Sequence, residues 1–190
     1  GKELYYDDET KIGKIIDGTF KGNKIDGQAN KIDFNLEEKS YIFSENAKVI
    51  YNDSTLKGQK INIDNLNKKI YIYGKYTIYN PKDKITFYGE DAEYNMDTGD
   101  LISKDIVKVV QEKKIMTGEN LTYNSNTGLG DIEKNIVIIN EDRSKITGDR
   151  AKFKINDYAE IIGNLKMITE DATLYANRGR YIYAEKKIEI

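Results

Sequence analysis

The carboxylates are the residues of this sequence best suited to chemistry, and several of them stand side by side. Two carboxyl groups about 5–9.5 Å apart across a cleft would suit glycoside hydrolysis. Most of these clusters fall where turns are expected, and several occupy equivalent positions of a repeat, so solvated turn residues explain them better. We therefore predict no catalytic residue, and a carbohydrate-active enzyme is the weakest hypothesis. The clusters are Asp7-Asp8, Glu37-Glu38, Glu90-Asp91-Glu93 and Glu141-Asp142.

Other reaction classes are excluded by residues that the sequence lacks. It contains no histidine, cysteine or tryptophan, so neither a Ser-His-Asp nor a Cys-His relay can form. An ordinary zinc site would need imidazole or thiolate ligands. The segment Asp97-Thr98-Gly99-Asp100 offers oxygen ligands for calcium but lacks the glutamate and spacing of a dedicated loop, and a type I turn is expected there. We predict neither a metal nor a cofactor.

The charge balance argues against a nucleic-acid partner. The 190 residues include 30 Lys and Arg and 32 Asp and Glu, which gives a net charge of −2. Positive and negative residues are interleaved along the chain. Such a chain has no strong electrostatic attraction to nucleic acid. Four of the fifteen tyrosines are expected on an outer face as ordinary strand formers, namely Tyr71, Tyr73, Tyr79 and Tyr88. Four basic residues belong either to a solvated face or near the mouth of a groove, where they would meet phosphates: Lys152, Lys154, Arg178 and Arg180.

Apolar residues alternate with polar ones nearly throughout, as in Ile70-Tyr71-Ile72-Tyr73. Alternation of β-branched and aromatic residues is typical of strands, and no run approaches the roughly 18 apolar residues of a membrane span. Turn signals recur at similar intervals along the chain, so we predict an all-β fold. These signals lie near residues 37–38, 52–53, 65–67, 80–81, 97–99, 112–113, 126–128, 141–142, 156–157, 170–171 and 185–186.

Small residues midway between these turns reveal an internal repeat. One series runs Gly27, Gly58, Gly89, Gly118, Gly148 and Ala176, at separations of 31, 31, 29, 30 and 28 residues. A second series alternates with it and runs Gly74, Ser103, Glu133 and Gly163. A repeat of this length indicates a structure built from stacked units. Each unit contains two crossings with a small residue at the centre and a turn at each end.

The crossings are expected to bend at these central residues. In one of them Ile146 precedes Gly148 by two residues, whereas Ala151 and Phe153 follow it by three and five. The side of the strand that faces inward therefore changes across Gly148, which requires an extra residue or a bend. The sequence predicts an elongated, antiparallel, two-sheet open β-jellyroll, a V-shaped stack of hairpins forming a single domain over residues 1–190.

The repeated motif Gly-x-x-Ala-x-Tyr/Phe, followed after about ten residues by Gly-Asn-Leu-x-Met, resembles the OstA-like β-jellyroll family. Residues 146–169 carry the nearest match, and residues 91–109 look more like the LptC type. Ser103 and Glu133 stand where the pattern has glycine. The repeated motif extends this resemblance over nearly the whole chain. Members of this family, among them LptA and LptC, transport lipopolysaccharide, so the resemblance implies a transport protein.

The resemblance implies a periplasmic relay, either an LptA-like bridge or an LptC-like subunit. In such a relay the acyl chains of lipid A lie inside the V, and the protein docks end to end with other Lpt β-jellyroll proteins through terminal strands. An inner-membrane ABC transporter supplies the energy indirectly, and no Gly-x-x-x-x-Gly-Lys-Ser/Thr motif occurs here. A tether to the inner membrane by a segment outside this sequence is left open.

Inward-facing residues beside the creases are the predicted lipid-lining residues. The same residue types would also form an ordinary core, so the alternative is a β-solenoid scaffold or surface adhesin with a dry core. The alternation of unlike motifs favours antiparallel hairpins over a parallel solenoid. The predicted lining comprises Ile61, Ile63, Tyr76, Ile78, Phe87, Ala92, Tyr94, Val107, Val109, Leu121, Tyr123, Ile136, Ala151, Phe153, Ile161, Leu165 and Met167.

Overall fold

The computed structural model describes residues 1–22, 24–185 and 187–190, and within them the chain forms strands and turns. None of the described residues belongs to a helix that is long and apolar enough to cross a membrane. Strands β2 to β13 are long, at 10 to 12 residues each. The strands are β1 Glu3–Asp7, β2 Ile12–Lys21, β3 Ile25–Asn35, β4 Ser40–Tyr51, β5 Ser54–Asp64, β6 Lys69–Asn80, β7 Ile85–Asn95, β8 Asp100–Gln111, β9 Lys114–Asn124, β10 Leu129–Ile139, β11 Lys145–Lys154, β12 Tyr158–Ile168, β13 Thr173–Ile182 and β14 Lys187–Glu189.

The strands follow one another in a single antiparallel sheet whose spatial order is the order of the sequence, β1 to β14. The sheet does not close, because β1 and β14 stand at its two edges. The predicted all-β, antiparallel, open architecture is confirmed. The predicted turn positions also coincide with turns between strands, except that Lys186, in the last of them, lies outside the described residues.

Strands β3 to β13 are each bent near the middle, where the pairing register with a neighbouring strand shifts. Examples are the shifts between Thr147 and Arg150 on β11 and between Ser44 and Ala47 on β4. The bends follow one line across the sheet, the crease, and the shifts on β5, β6 and β11 include the predicted central residues Gly58, Gly74 and Gly148. The crease divides the sheet into two arms, so the two predicted layers are halves of one continuous sheet. Arm A ends in the turns at 52–53, 81–84, 112–113, 140–144 and 169–172, and arm B ends in those at 8–11, 36–39, 65–68, 96–99, 125–128 and 155–157.

The glycines at the crease serve two different purposes. Gly74 and Gly163 have φ angles of 73° and 75°, a left-handed conformation that glycine adopts without steric cost. Gly89 and Gly118 make room instead, because a Cβ at Gly89 would lie 2.7 Å from the Tyr76 hydroxyl. In the strands of this second kind, polar residues such as Asp91 and Asn120 take the positive φ angle, at 52° and 57°.

The inner faces of both arms form one apolar core. Ile61 and Ile63 on arm B and Ile85 on arm A have no exposed surface at all. Alternate residues along each strand face this interior, as the two-residue period of a strand requires. In this state side chains fill the interior along most of its length.

The two rims of the V are held together differently. Each turn on the arm B rim is joined to the next by a backbone hydrogen bond, whereas no described backbone bond connects successive arm A turns. On the arm A rim a side chain makes the link, since Gln111 Nε2 donates to the Asp83 carbonyl at 3.2 Å. Lys113 and Glu141 also form an ion pair there. The arm B bonds are Leu36 N to Lys11 O, Asn65 N to Lys39 O, Met96 N to Lys68 O, Ser125 N to Gly99 O, Ile155 N to Gly128 O and Tyr183 N to Asp157 O.

Candidate functional site

A cavity of about 220 Å³ opens at the mouth of the V, near the middle of the stack. It exceeds the roughly 150 Å³ of an apolar protein cavity that accommodates benzene. Apolar and aromatic side chains from both arms form its floor, while polar residues of the turns form its lip. The floor comprises Tyr51, Leu56, Ile78, Phe87, Tyr94, Leu101 and Tyr123, and the lip comprises Asn52, Asp53, Ser54, Asn80, Lys82, Ser125 and Asn126.

Two tyrosines from opposite arms meet beside this cavity. Tyr51 ends β4 on arm A, and its ring lies edge-on to the ring of Tyr94 on arm B, with 5.9 Å between centroids. The Tyr94 hydroxyl lies 3.1 Å from Ser125 Oγ, which in turn donates to the Gly99 carbonyl. Tyr94 is therefore fixed by the arm B turns, and the contact sets the distance between the arms at this level.

The hydroxyl of Tyr123 is the unusual group of the site. Tyr123 is only 4% exposed, yet its oxygen has no hydrogen-bond partner among the described residues. Burial raises the pKa of Tyr123 to about 12, so the group stays protonated at neutral pH and can donate a hydrogen bond. A buried donor without a partner costs about 1–3 kcal/mol, which a carbonyl or hydroxyl oxygen in the cavity would recover.

Towards the C-terminal end, the mouth is closed by two contacts between the arms. Gln111 Nε2 on arm A donates to Asn156 Oδ1 on arm B at 2.7 Å. The Lys114 ammonium of arm A lies 3.5 Å from the ring centroid of Tyr183, within the range of a cation–π interaction. Partial burial lowers the pKa of Lys114. In the described structure the mouth of the V is therefore open over the cavity, and contacts between the arms close it towards the C-terminal end.

This arrangement suits an amphiphile better than a reaction. Among the described residues that line the cavity, Lys82 is the one cation and Asp53 the one carboxylate, and both stand at the lip. An apolar chain would enter between the arms, while a polar head would remain at the turns. The polar lip and apolar floor have the distribution that small-molecule sites commonly show.

All seventeen predicted lining residues face the interior. Fifteen are buried in the core, and Tyr94 and Met167 are partly buried and packed against it. Four of them meet at the cavity, namely Ile78, Phe87, Tyr94 and Tyr123. The others are spread along the packed interior. Contact of any of them with lipid stays a prediction.

Several cavity residues were missed by the sequence analysis. Tyr51, Leu56 and Leu101 lie on the floor, although none stands directly beside a crease. Tyr51 and Leu56 continue the inward alternation of Val49 around the turn at 52–53, and this signal could have identified them. The sequence pattern does not predict the polar lip. The lip forms where turns of the two arms lie opposite each other, and that depends on how the arms meet.

The carboxylate clusters make local structural contacts. Asp7 accepts hydrogen bonds from the backbone amides of Glu9 and Thr10, which lower its pKa. Asp91 lies on β7 at the crease, two residues after the predicted central residue Gly89, and accepts a 2.6 Å bond from the Gly74 amide. In the segment 97–100, where a turn was expected and not a calcium site, Asp100 accepts bonds from Thr98 and Asn124. The described residues contain no group of three potential metal ligands.

The four basic residues for which a solvated face and a groove mouth were both considered lie mainly on the outer face of arm B. Arg178 pairs with Glu160 at 2.5 Å, and the Arg180 guanidinium stacks on Tyr158 at 4.0 Å from the ring centroid. Lys152 is exposed on the same face. Only Lys154, which pairs with Asp157 at 3.0 Å, also borders the clasped part of the mouth.

One comparison with known proteins agrees with the predicted resemblance. The family model described as "LptA/(LptD N-terminal domain) LPS transport protein" matches residues 8–69. A structural match is LptH from Pseudomonas aeruginosa, the LptA homologous periplasmic component of its lipopolysaccharide transport device, with 20% identity and a TM-score of 0.46. That match covers 53% of this chain and 75% of LptH. No curated protein matches the chain. The family match confirms the resemblance to the Lpt β-jellyroll proteins, whose model is described as a transport protein, and locates it in residues 8–69.

Proposed function

We propose that this protein is a periplasmic lipopolysaccharide carrier, which holds acyl chains between the two arms while the sugar headgroup stays in water. The mouth cavity carries this proposal, because it combines an apolar floor, a polar lip and an unpartnered hydroxyl at Tyr123. The family match supports the class of cargo. Burial of an acyl chain is worth about 0.8 kcal/mol per methylene, so a bound chain would not leave readily for water.

Loading longer acyl chains requires the arms to separate. Residues such as Ile61, Leu121 and Ile132 have no exposed surface, so the cavity can take only the end of a chain while the rest of the interior is filled. The arm A rim, whose successive turns are linked by side chains, can spread more easily than the arm B rim. We expect the V to open by movement of the arm A turns.

Relay between carriers would use the two edges of the sheet. At the first edge β1 exposes Leu4 and Tyr5, which are 67% and 58% exposed. At the other edge β14 pairs with only residues 180–182 of β13, so residues 173–179 present an unpaired edge. Unpaired edges add further strands readily. Docking to other Lpt β-jellyroll proteins would continue the interior from one molecule to the next, and an ABC transporter would supply the energy.

The two roles left open by the sequence, LptA-like bridge and LptC-like subunit, both fit this proposal. They differ in how the chain is held at the inner membrane, which concerns segments outside these residues. The matched region, residues 8–69, belongs to the LptA and LptD side of the family and favours the bridge.

Site-specific photo-crosslinking to lipopolysaccharide tests the function. A photoreactive residue at Tyr123, on the cavity floor, should crosslink to lipopolysaccharide, and one at the buried Phe153 should do so once the arms open. The same residue at Lys152, exposed on arm B, is the control. Equal labelling at all three positions, or no labelling from inside, would contradict the proposal.

A scaffold or adhesin with a dry core is the second candidate, favoured by the filled interior. It predicts no crosslink from Tyr123 or Phe153 in any condition. It also predicts that lipopolysaccharide leaves the thermal unfolding of the protein unchanged, whereas a ligand of the native state raises its stability.

A further inference from the structure

The outer faces of the two arms carry very different charges. On strands β4 to β13 the two outward rows nearest the arm A turns hold twenty residues, and all are Ile, Val, Thr, Tyr or Lys. The row next to the mouth runs Ile50, Thr55, Tyr79, Thr86, Val110, Ile115, Ile139, Lys145, Ile168 and Thr173. The row behind it runs Lys48, Lys57, Thr77, Tyr88, Lys108, Thr117, Val137, Thr147, Lys166 and Tyr175. We call these twenty residues the basic face.

Five lysines and no carboxylate make up the charge of the basic face. None of these lysines has an ion-pair partner within 4.0 Å among the described residues. Two of them lie over tyrosine rings of the same face, Lys108 over Tyr88 and Lys166 over Tyr175. The nearest carboxylates stand at its borders, among them Asp26 on β3, Glu90 at the crease, and Glu112 and Glu141 in turns.

The corresponding rows of arm B are nearly balanced, and several of their charges form ion pairs. They contain five carboxylates and four cations, namely Asp64, Glu93, Asp100, Asp131, Glu160, Lys69, Lys152, Lys154 and Arg180. Lys69 pairs with Glu93 at 2.5 Å and Asp131 with Arg150 at 2.6 Å. The two outward rows of arm A therefore carry five cations and no carboxylate, whereas the corresponding rows of arm B are nearly balanced. The carboxylates of arm A lie in its turns, among them Asp53, Asp83, Glu170 and Asp171, and at the crease.

Exposed apolar side chains accompany the lysines. Ile50, Tyr79 and Ile139 are each 41% exposed, Tyr88 is 40% and Tyr175 is 71% exposed. Ten strands at about 4.8 Å spacing make the face about 43 Å wide. Apolar side chains, tyrosines and lysines together on one extended surface have the composition of protein surfaces that meet the lipid headgroup region.

We propose that the basic face is a docking surface for an anionic phospholipid bilayer. The lysines would contact lipid phosphates, and the Ile, Val and Tyr side chains of the row next to the mouth would reach the headgroup region. Charge complementarity selects this occupant, because every charged group of the face is a cation and apolar side chains accompany these cations. It lacks the carboxylates and amides with which a protein binds sugar hydroxyls. In this orientation the arm A rim, and hence the mouth, lies close to the membrane.

Vesicle binding tests this proposal without any assumption about lipopolysaccharide. The intact chain should bind vesicles of equal parts phosphatidylcholine and phosphatidylglycerol and should not bind vesicles of phosphatidylcholine alone. The triple variant Lys57→Thr, Lys108→Thr and Lys166→Thr should lower binding about 100-fold, since each lysine near an anionic surface contributes about fivefold. Threonine suits an exposed strand position, and a thermal unfolding scan checks that the fold is kept.

The matched control removes the same charge from arm B, by Lys152→Thr, Lys154→Thr and Arg180→Thr. It should leave vesicle binding within about twofold, and added salt should release the intact protein by screening. Equal losses in the two triple variants, or equal binding to both kinds of vesicle, would overturn the proposal. Binding to a soluble polyanion such as heparin without binding to vesicles would also overturn it, in favour of a polysaccharide partner.

Discussion

Gln111 and Asn156 are hydrogen-bonded across the mouth of the V, with 2.7 Å between Gln111 Nε2 and Asn156 Oδ1. Gln111 ends a strand of arm A, and Asn156 stands in a turn of arm B, so this bond holds two rims that no described backbone bond joins. The same amide of Gln111 also donates to Asp83. The pair therefore links neighbouring arm A turns to each other and to the opposite arm.

Removal of this clasp should make the mouth easier to open. We expect Gln111→Ala to lower the free energy of unfolding by about 0.5–1.5 kcal/mol, the net value of a typical side-chain hydrogen bond. We also expect it to speed the uptake of a fluorescent acyl probe, because less energy is needed to part the rims. Denaturant unfolding and stopped-flow uptake measure the two effects.

The control for this clasp is Gln28→Ala, on the outer face of β3, which should change neither quantity. A double-mutant cycle with Asn156→Ala should recover a coupling energy between the two residues. Faster uptake in Gln28→Ala, or additive effects of the two clasp substitutions, would contradict the assignment.

Tyr123→Phe should separate the stability of the protein from its retention of ligand. Without a ligand the variant loses a buried hydroxyl that has no partner, so the free energy of unfolding should stay the same or rise by about 1 kcal/mol. With an acyl ligand the variant loses a donor, and retention should fall about 2- to 10-fold. Calorimetry and ligand dissociation kinetics measure these quantities.

Tyr76→Phe is the matched control for this prediction. Tyr76 is 3% exposed, and its hydroxyl also lacks a partner among the described residues, but it does not line the mouth cavity. Its removal should therefore affect stability alone. If both variants retain ligand equally well, the Tyr123 hydroxyl has no role in binding.

Alkaline pH should destabilise the protein through its buried tyrosines. The pKa values of Tyr123 and Tyr183 are both raised to about 12, chiefly by burial, whereas a tyrosine in the unfolded chain has a pKa near 10. Between these values the unfolded chain releases protons that the folded chain keeps, so stability falls as pH rises from about 10 to 12. Urea unfolding across this range should show a shallower decline in Tyr123→Phe. An identical decline in the variant would contradict the pKa assignment of Tyr123.

The repeat was predictable because its parts recur in the sequence. Alternation gave the inward faces, and turn residues gave the strand ends. A further recurring signal marks the arm B turns. An Asp or Asn stands just before each of five successive turns, namely Asp7, Asn35, Asp64, Asn95 and Asn124. Each accepts a hydrogen bond from a backbone amide of its turn, as Asp and Asn commonly do.

The mouth cavity and the basic face could not be predicted in the same way. Lys82 and Ser125 belong to turns on opposite arms, and only the angle between the arms brings them to one lip. The charge of the basic face vanishes in the sum over the chain, because carboxylates of the arm A turns and of arm B offset its five lysines. Both features depend on which residues share a surface, and the order of the residues along the chain does not report that directly.

A methyl group at Gly118 should strain the crease. A Cβ there would lie 2.5 Å from Ile132 Cγ2, 2.9 Å from Ile136 Cδ1 and 3.0 Å from the Lys134 carbonyl. The backbone oxygen cannot move as a side chain can, so we expect Gly118→Ala to cost about 1–3 kcal/mol, as overpacking usually does. Denaturant unfolding measures the loss. Thr117→Ala, one residue away and facing outward, should change stability by less than about 0.5 kcal/mol, and a similar loss in both would show that the packing of Gly118 is not the cause.

Strand addition at the β13 edge should be blocked by proline. Tyr175 is 71% exposed and belongs to the half of β13 that β14 leaves unpaired. Tyr175 pairs with Lys166 of β12. Backbone amides alternate between the two edges along a strand, so the amide of Tyr175 faces one edge of β13 and those of residues 174 and 176 face the other. Proline lacks the backbone amide hydrogen and is tolerated only at the edges of a sheet. The three variants Leu174→Pro, Tyr175→Pro and Ala176→Pro should therefore be compared with one another. The substitution that removes an outward-facing amide should abolish concentration-dependent assembly in sedimentation velocity while the monomer stays folded. Tyr175→Thr, which keeps the amide, should assemble normally, and assembly that survives all three proline variants would exclude this edge as the docking strand.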